Sequence, residues 1–132
     1  MFITADQLVL HAIGDYVLQS DWMANEKTKR KVAALAHVVT YTLPWLFLTT
    51  SWKALVFIAV THFIIDHWRL ARYICWLKNE VFSPKDWRHP WSECVGTGYH
   101  KDRPPWMAVW LMIIADNVMH VLLNGLAMKY LA

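Results

Sequence analysis

Three histidine–aspartate pairs carry the most chemistry in this chain. His62 and Asp66, His11 and Asp15, and in reverse order Asp116 and His120 each stand four residues apart. On a helix, that separation stacks two side chains on one face. Each pair lies within an apolar run, where an ionised carboxylate costs about 2.5–3.5 kcal/mol if the run crosses a bilayer. With seven histidines in 132 residues, the two ±4 slots of a given aspartate hold a histidine roughly one time in ten. Three such hits point to a shared purpose. Imidazoles and carboxylates so placed are candidate metal ligands, and their mixture suits Zn, Mn or Fe better than Ca.

His37 stands alone in a further apolar segment and joins the set because the other segments each supply a pair. The candidate ligands are then His11, Asp15, His37, His62, Asp66, Asp116 and His120. Four imidazoles and three carboxylates exceed the four ligands of a tetrahedral zinc. They suit two divalent ions held from facing helices. Two ions about 3.5–4 Å apart would activate a water and steady both oxygens of a phosphoryl displacement. Asp66 is the candidate shared carboxylate of that centre. Arg69, three residues on, offers a guanidinium fork to a phosphate, or snorkels to a membrane surface.

Positioning these residues requires helices. The expected architecture is all-α: a single domain over residues 1–132, built as a polytopic four-helix transmembrane bundle. The helices are expected at about 4–22, 32–50, 52–76 and 106–130, with a polar loop at 78–105. Thr4 and Asp6 can cap the first helix, and Gly14 would let a neighbour approach closely. Pro44 is expected to kink the second. The turn at 51–53 is so short that the second and third helices should run antiparallel. Segment 25–31 reads as a solvated basic loop. Trp87, Trp91 and Trp106 are expected at the membrane interface. His89, Cys94 and His100 match no metal motif by spacing.

Composition supports a membrane setting. Hydrophobic residues reach 57%, nine are Trp, and only 17% are charged, against about 25% in ordinary soluble domains. The charges are segregated into blocks, whereas a soluble bundle spreads them along each helix. The net charge of +3 sits in loops, which reads as a topology signal and excludes a nucleic-acid duplex as the expected partner. Four Lys/Arg fall within 27–31 and five within 78–103. Loops 25–31 and 78–105 are therefore expected in the cytoplasm, with the chain multi-pass in a bacterial inner membrane and both termini outside. No cleavable signal peptide is expected, because Asp15 interrupts the apolar stretch that would form one.

The stretch His11-x-x-Gly14-Asp15-Tyr16-x-Leu18-Gln19, followed by His37 and by His62-x-x-x-Asp66, resembles a family of small bacterial and phage membrane proteins of unassigned function. That family is similar to predicted membrane-bound, metal-dependent hydrolases under DNA-damage control. The resemblance implies membrane location and metal binding. The expected function is a metal-dependent hydrolase of a phosphoester, a phospholipid head group or a nucleotide, with two divalent ions in a site open to the cytoplasm. The alternatives are a proton or divalent-ion pathway and a structural membrane protein without catalysis. The lipid bilayer is the expected partner, with self-association into a homo-oligomer left open.

Overall fold

A computed structural model describes residues 2–132, and these are helical with no strand among them. The chain forms two compact units. One takes the residues up to Trp68 together with His120–Ala132; the other takes Arg69–Met119.

In the first unit, α1 (Ala5–Ala12) begins where the Thr4 hydroxyl accepts the Gln7 N–H at 3.4 Å. It does not run to residue 22 as the sequence suggests. A π turn over Ile13–Val17 follows, closed by Leu18 N–H donating to the Ile13 carbonyl at 3.0 Å. Ser20 then caps a separate short helix, α2 (Asp21–Glu26), by accepting the Met23 N–H. The expected basic loop at 25–31 is thus partly helix. Next, α3 (Lys31–Thr42) passes into a 3-10 turn, Leu43–Phe47. Pro44 has no N–H to give back to Thr40, so the α-helix ends there and is not merely kinked.

Four residues later, α4 (Trp52–His67) starts. It was expected to reach residue 76, but it stops at Trp68 because Arg69 adopts a left-handed backbone with φ 52°. A non-glycine residue there costs about 1–2 kcal/mol. The second unit holds α5 (Ala71–Phe82) and two short 3-10 turns, Lys85–Trp87 and Trp91–Glu93, each preceded by a proline. Gly98, at φ 86°, lies against α5 so tightly that a Cβ would overlap the Arg72 carbonyl and come 2.6 Å from Cys75 Cβ. The long α6 (Pro105–Tyr130) opens on a proline, whose missing N–H has no helical partner at that position anyway.

Only part of the four-span expectation is realised. α6, with 26 residues, is long and apolar enough to cross a membrane. By contrast α1, α3 and α4 have 8, 12 and 16 residues, short of the roughly 17–25 needed for an unaided span. The breaks at the π turn, at Pro44 and at Arg69 are what shorten them.

Polarity in the first unit is inverted relative to a soluble bundle. Its buried residues include His11, Asp15, His37, His62, Asp66, His120 and Asn124. Below them lies a small apolar core of Tyr41, Trp45, Ile58 and Ala127, each at most 1% exposed. The exposed faces are apolar: Trp52, Val56, Val60, Ile64 and Trp68 at four-residue steps along α4 and just past its end, and Leu35, Val39, Leu43 and Phe47 along α3 and its turn.

Candidate metal centre

Four ligand atoms converge inside the first unit. Asp15 comes from the π turn, a distortion that often re-aims side chains at functional sites. His37 comes from the middle of α3, and His62 and Asp66 from successive turns of α4. The Nε2 atoms of His37 and His62 lie 2.9 Å apart. Asp15 Oδ1 is 3.2 Å from the first and 3.3 Å from the second. Asp66 Oδ2 is 3.2 Å from both.

These distances are five of the six edges of a tetrahedron. A regular tetrahedron of that edge has its centre about 2.0 Å from each vertex, the distance at which zinc binds imidazole nitrogen and carboxylate oxygen. The side chains of His37, His62 and Asp66 are 1%, 0% and 4% exposed, and that of Asp15 is 10% exposed. Two buried carboxylates facing two imidazoles form a concentrated negative site, of the kind a divalent cation neutralises. Among the described residues, no other polar atom makes a hydrogen bond to the buried Asp15 Oδ1.

A second ring of residues holds the outer atoms of this cluster. Asp66 turns its other oxygen, Oδ1, to His120 Nε2 at 3.0 Å. Asp15 turns Oδ2 toward His11 Nδ1 at 3.5 Å. Each central carboxylate therefore has one oxygen on the tetrahedron and one beside a histidine. His11 and His120, also expected as ligands, stand beside these outer oxygens, where a histidine can orient a carboxylate. Tyr41 lies flat on His62, with ring centroids 3.6 Å apart and planes 17° apart. Asn124 Nδ2 donates to the Tyr41 oxygen at 2.6 Å, and the same oxygen lies 2.8 Å from His11 Nδ1. Gly14 makes this possible, as a Cβ there would lie 2.5 Å from Tyr41 Cδ2.

Lys27 is the residue that sequence reasoning missed. It was read as part of a solvated loop, yet its Nζ lies 2.6 Å from Asp66 Oδ2, a vertex of the tetrahedron. Its backbone carbonyl is held by His67 Nδ1 at 2.8 Å, which steers the side chain inward. Nothing in a run of four basic residues marks which one turns in. Tyr41 and Asn124 are legible in the sequence by the spacing of the pairs, each standing four residues after a histidine.

The remaining candidates belong to the second unit. Arg69, expected to bind phosphate, places Nη2 on the Gly96 carbonyl at 2.6 Å and so ties down the loop. Asp116 lies on α6, one turn before His120. In that unit Cys94 is buried, and its thiol is pushed up by burial first and by the Glu80 and Glu93 carboxylates next.

Residues 3–130 match the model of a family described as a protein of unknown function, DUF3307. The chain belongs to that family. The match takes in every helix and every residue of the centre. No curated protein and no solved structure matches the chain.

Proposed function

We propose that this member of the DUF3307 family is a membrane-associated, metal-dependent hydrolase acting on a phosphoester, a lipid head group or a nucleotide. One observation carries the reading: the convergence of Asp15 Oδ1, His37 Nε2, His62 Nε2 and Asp66 Oδ2 at edges of 2.9–3.3 Å. The donor set suits Zn, Mn or Fe. An ion held there would supply Lewis acidity and acidify a coordinated water. Around it, Asp15 and Asp66 offset the added charge, while His11 and His120 hold their outer oxygens. Lys27, at 18% side-chain exposure the least buried of the group, marks the side from which an anionic substrate would enter.

Membrane association rests on the exposed surface. Along α6, Trp106, Trp110, Ile114, Val118, Leu122, Leu126 and Tyr130 form one exposed stripe at four-residue steps. At 1.5 Å per residue, the helix is about 39 Å long, enough for a hydrocarbon core of about 30 Å. Aromatic residues stand at both its ends, as they do at bilayer interfaces. In this reading α3 and α4, too short to span unaided, are embedded as well, with their apolar stripes facing lipid. The Lys/Arg-rich segments 25–31 and 78–105 then face the cytoplasm of a bacterial inner membrane.

A second reading is favoured by the ligand count. Four protein ligands fill a tetrahedral shell, and closed shells are the mark of structural metal sites. The ion would then staple the π turn, α3 and α4 without chemistry. A through-going ion pathway is disfavoured, since Tyr41, Trp45, Ile58 and Ala127 pack solidly below the centre. The deciding experiment is a phosphoester screen of purified protein with and without chelator. Cleavage lost with chelator, restored by Zn or Mn and absent in Asp15→Asn supports the hydrolase. Retained metal with no cleavage supports the staple.

A further inference from the structure

The second unit holds another cluster of metal-ligating groups, His89, Glu93 and His100. The chain after α5 is pinned at several points. His89 N–H donates to Glu80 Oε1 at 3.0 Å, Trp76 Nε1–H donates to the His89 carbonyl at 3.0 Å, and Lys101 N–H donates to the Glu93 carbonyl at 3.0 Å. Held this way, the rings of His89 and His100 lie close together, with centroids 4.0 Å apart and planes tilted by 36°. The Glu93 carboxylate closes the group. Its Oε2 is 3.1 Å from His100 Nε2 and 3.9 Å from His89 Nδ1.

His89 and His100 border a cavity of about 210 Å³ whose wall also includes Trp76, Glu80, Cys94 and Arg103. His89 Nε2 is buried and makes no hydrogen bond. Behind the other imidazole, the Asp102 backbone N–H donates to His100 Nδ1 at 3.3 Å. The bland alternative is a pair of surface histidines sharing one glutamate. That alternative leaves the buried His89 Nε2 without a partner among the described residues, whereas a divalent cation binds neutral imidazole nitrogens.

We propose that His89, Glu93 and His100 form a second divalent transition-metal site, separate from the Asp15–His37–His62–Asp66 centre. It has three protein ligands of nitrogen and oxygen type. Its fourth position faces the cavity and is open to water or an anion, the arrangement of accessible zinc sites. Cys94, adjacent in sequence, is outside the ligand set.

Cobalt(II) titration of the full-length protein in detergent tests this, read by stoichiometry and by the visible spectrum of the bound ion. A His62→Ala/Asp66→Asn variant, which lacks the first centre, should keep one equivalent. Adding His89→Ala and His100→Ala should remove it, and Cys94→Ser should leave both stoichiometry and spectrum unchanged. Glu93→Gln, at a residue whose side chain is 40% exposed, keeps the fold testable if the double histidine change does not; it should weaken cobalt binding at this site at least tenfold. An unchanged titration in Glu93→Gln would overturn the proposal. So would a thiolate charge-transfer band that Cys94→Ser abolishes.

Discussion

The Nε2 atoms of His37 and His62 face each other at 2.9 Å across the packing of α3 on α4. Two neutral imidazoles can share one proton along that line, but then neither nitrogen is free for Asp15 or Asp66. A cation between them uses both lone pairs and both carboxylate oxygens at once. That is why the cluster reads as a metal centre and not as a chain of hydrogen bonds.

Lys27 already places a positive charge on Asp66 Oδ2, the oxygen that a metal would use. Lys27→Met keeps the aliphatic stem and removes the ammonium. Without metal the variant should be less stable by about 1–3 kcal/mol, since a buried carboxylate loses a charged partner. Zinc should then bind about tenfold more tightly, because the competing cation is gone. Thermal melts at graded zinc concentrations read both effects. An unchanged or weakened zinc affinity would mean that ammonium and metal occupy different lone pairs of the same oxygen.

Gly14→Ala tests whether the approach of the π turn to α3 positions the centre. The new methyl would sit 2.5 Å from Tyr41 Cδ2, and Tyr41 is fully buried against His62. Overpacking of this kind costs about 1–3 kcal/mol. Metal affinity should fall with stability, as the ring that orients His62 is displaced. Tyr41→Phe keeps the stacking but loses the bonds to His11 and Asn124, so it should lower stability while binding metal more nearly normally. Equal metal loss in both variants would show that the hydroxyl, and not the ring, matters.

Arg69 carries both a left-handed backbone and a hydrogen bond to Gly96. Arg69→Gly relieves the first and loses the second, so its denaturation midpoint should change little. Arg69→Ala loses the bond and keeps the strain, and should be less stable than the glycine variant by about 1 kcal/mol. If alanine and glycine behave alike, the backbone is not strained at this position.

Membrane insertion can be read from α6. Val118→Lys puts a charge in the middle of its exposed stripe, at a site 51% exposed, where it would cost about 2.5–3.5 kcal/mol in lipid. The expected outcome is loss of the protein from the membrane fraction. A variant that stays in the membrane fraction and still binds metal would show that the stripe does not face lipid.

How much of this was legible in the chain depends on the kind of constraint. The His62/Asp66 pair and its distant companions His37 and Asp15 were readable because buried polar residues at helical spacing must find partners, and they find one another. Gly14 was readable for a similar reason, as a missing Cβ in a crowded helix. The sorting of seven candidates into an inner four and an outer His11 and His120 was not. It turns on which oxygen of each carboxylate faces inward, and the π turn that aims Asp15 has no composition signal. Arg69 was opaque for a related reason: left-handed residues at helix ends are normally glycine, and an arginine there is set by its tie to Gly96. Pro44 marked the right place, but whether it kinks or ends a helix depends on what packs beyond it.

The measurement that bears most directly on the central claim is metal analysis joined to X-ray absorption on protein purified without chelator and loaded with zinc. The His89→Ala/His100→Ala background isolates the first centre. The predicted result is one zinc per chain, with two imidazole nitrogens and two carboxylate oxygens at about 2.0 Å, lost in Asp66→Asn. A folded protein that holds no zinc in that background, or one whose zinc survives removal of both His37 and His62, would contradict it.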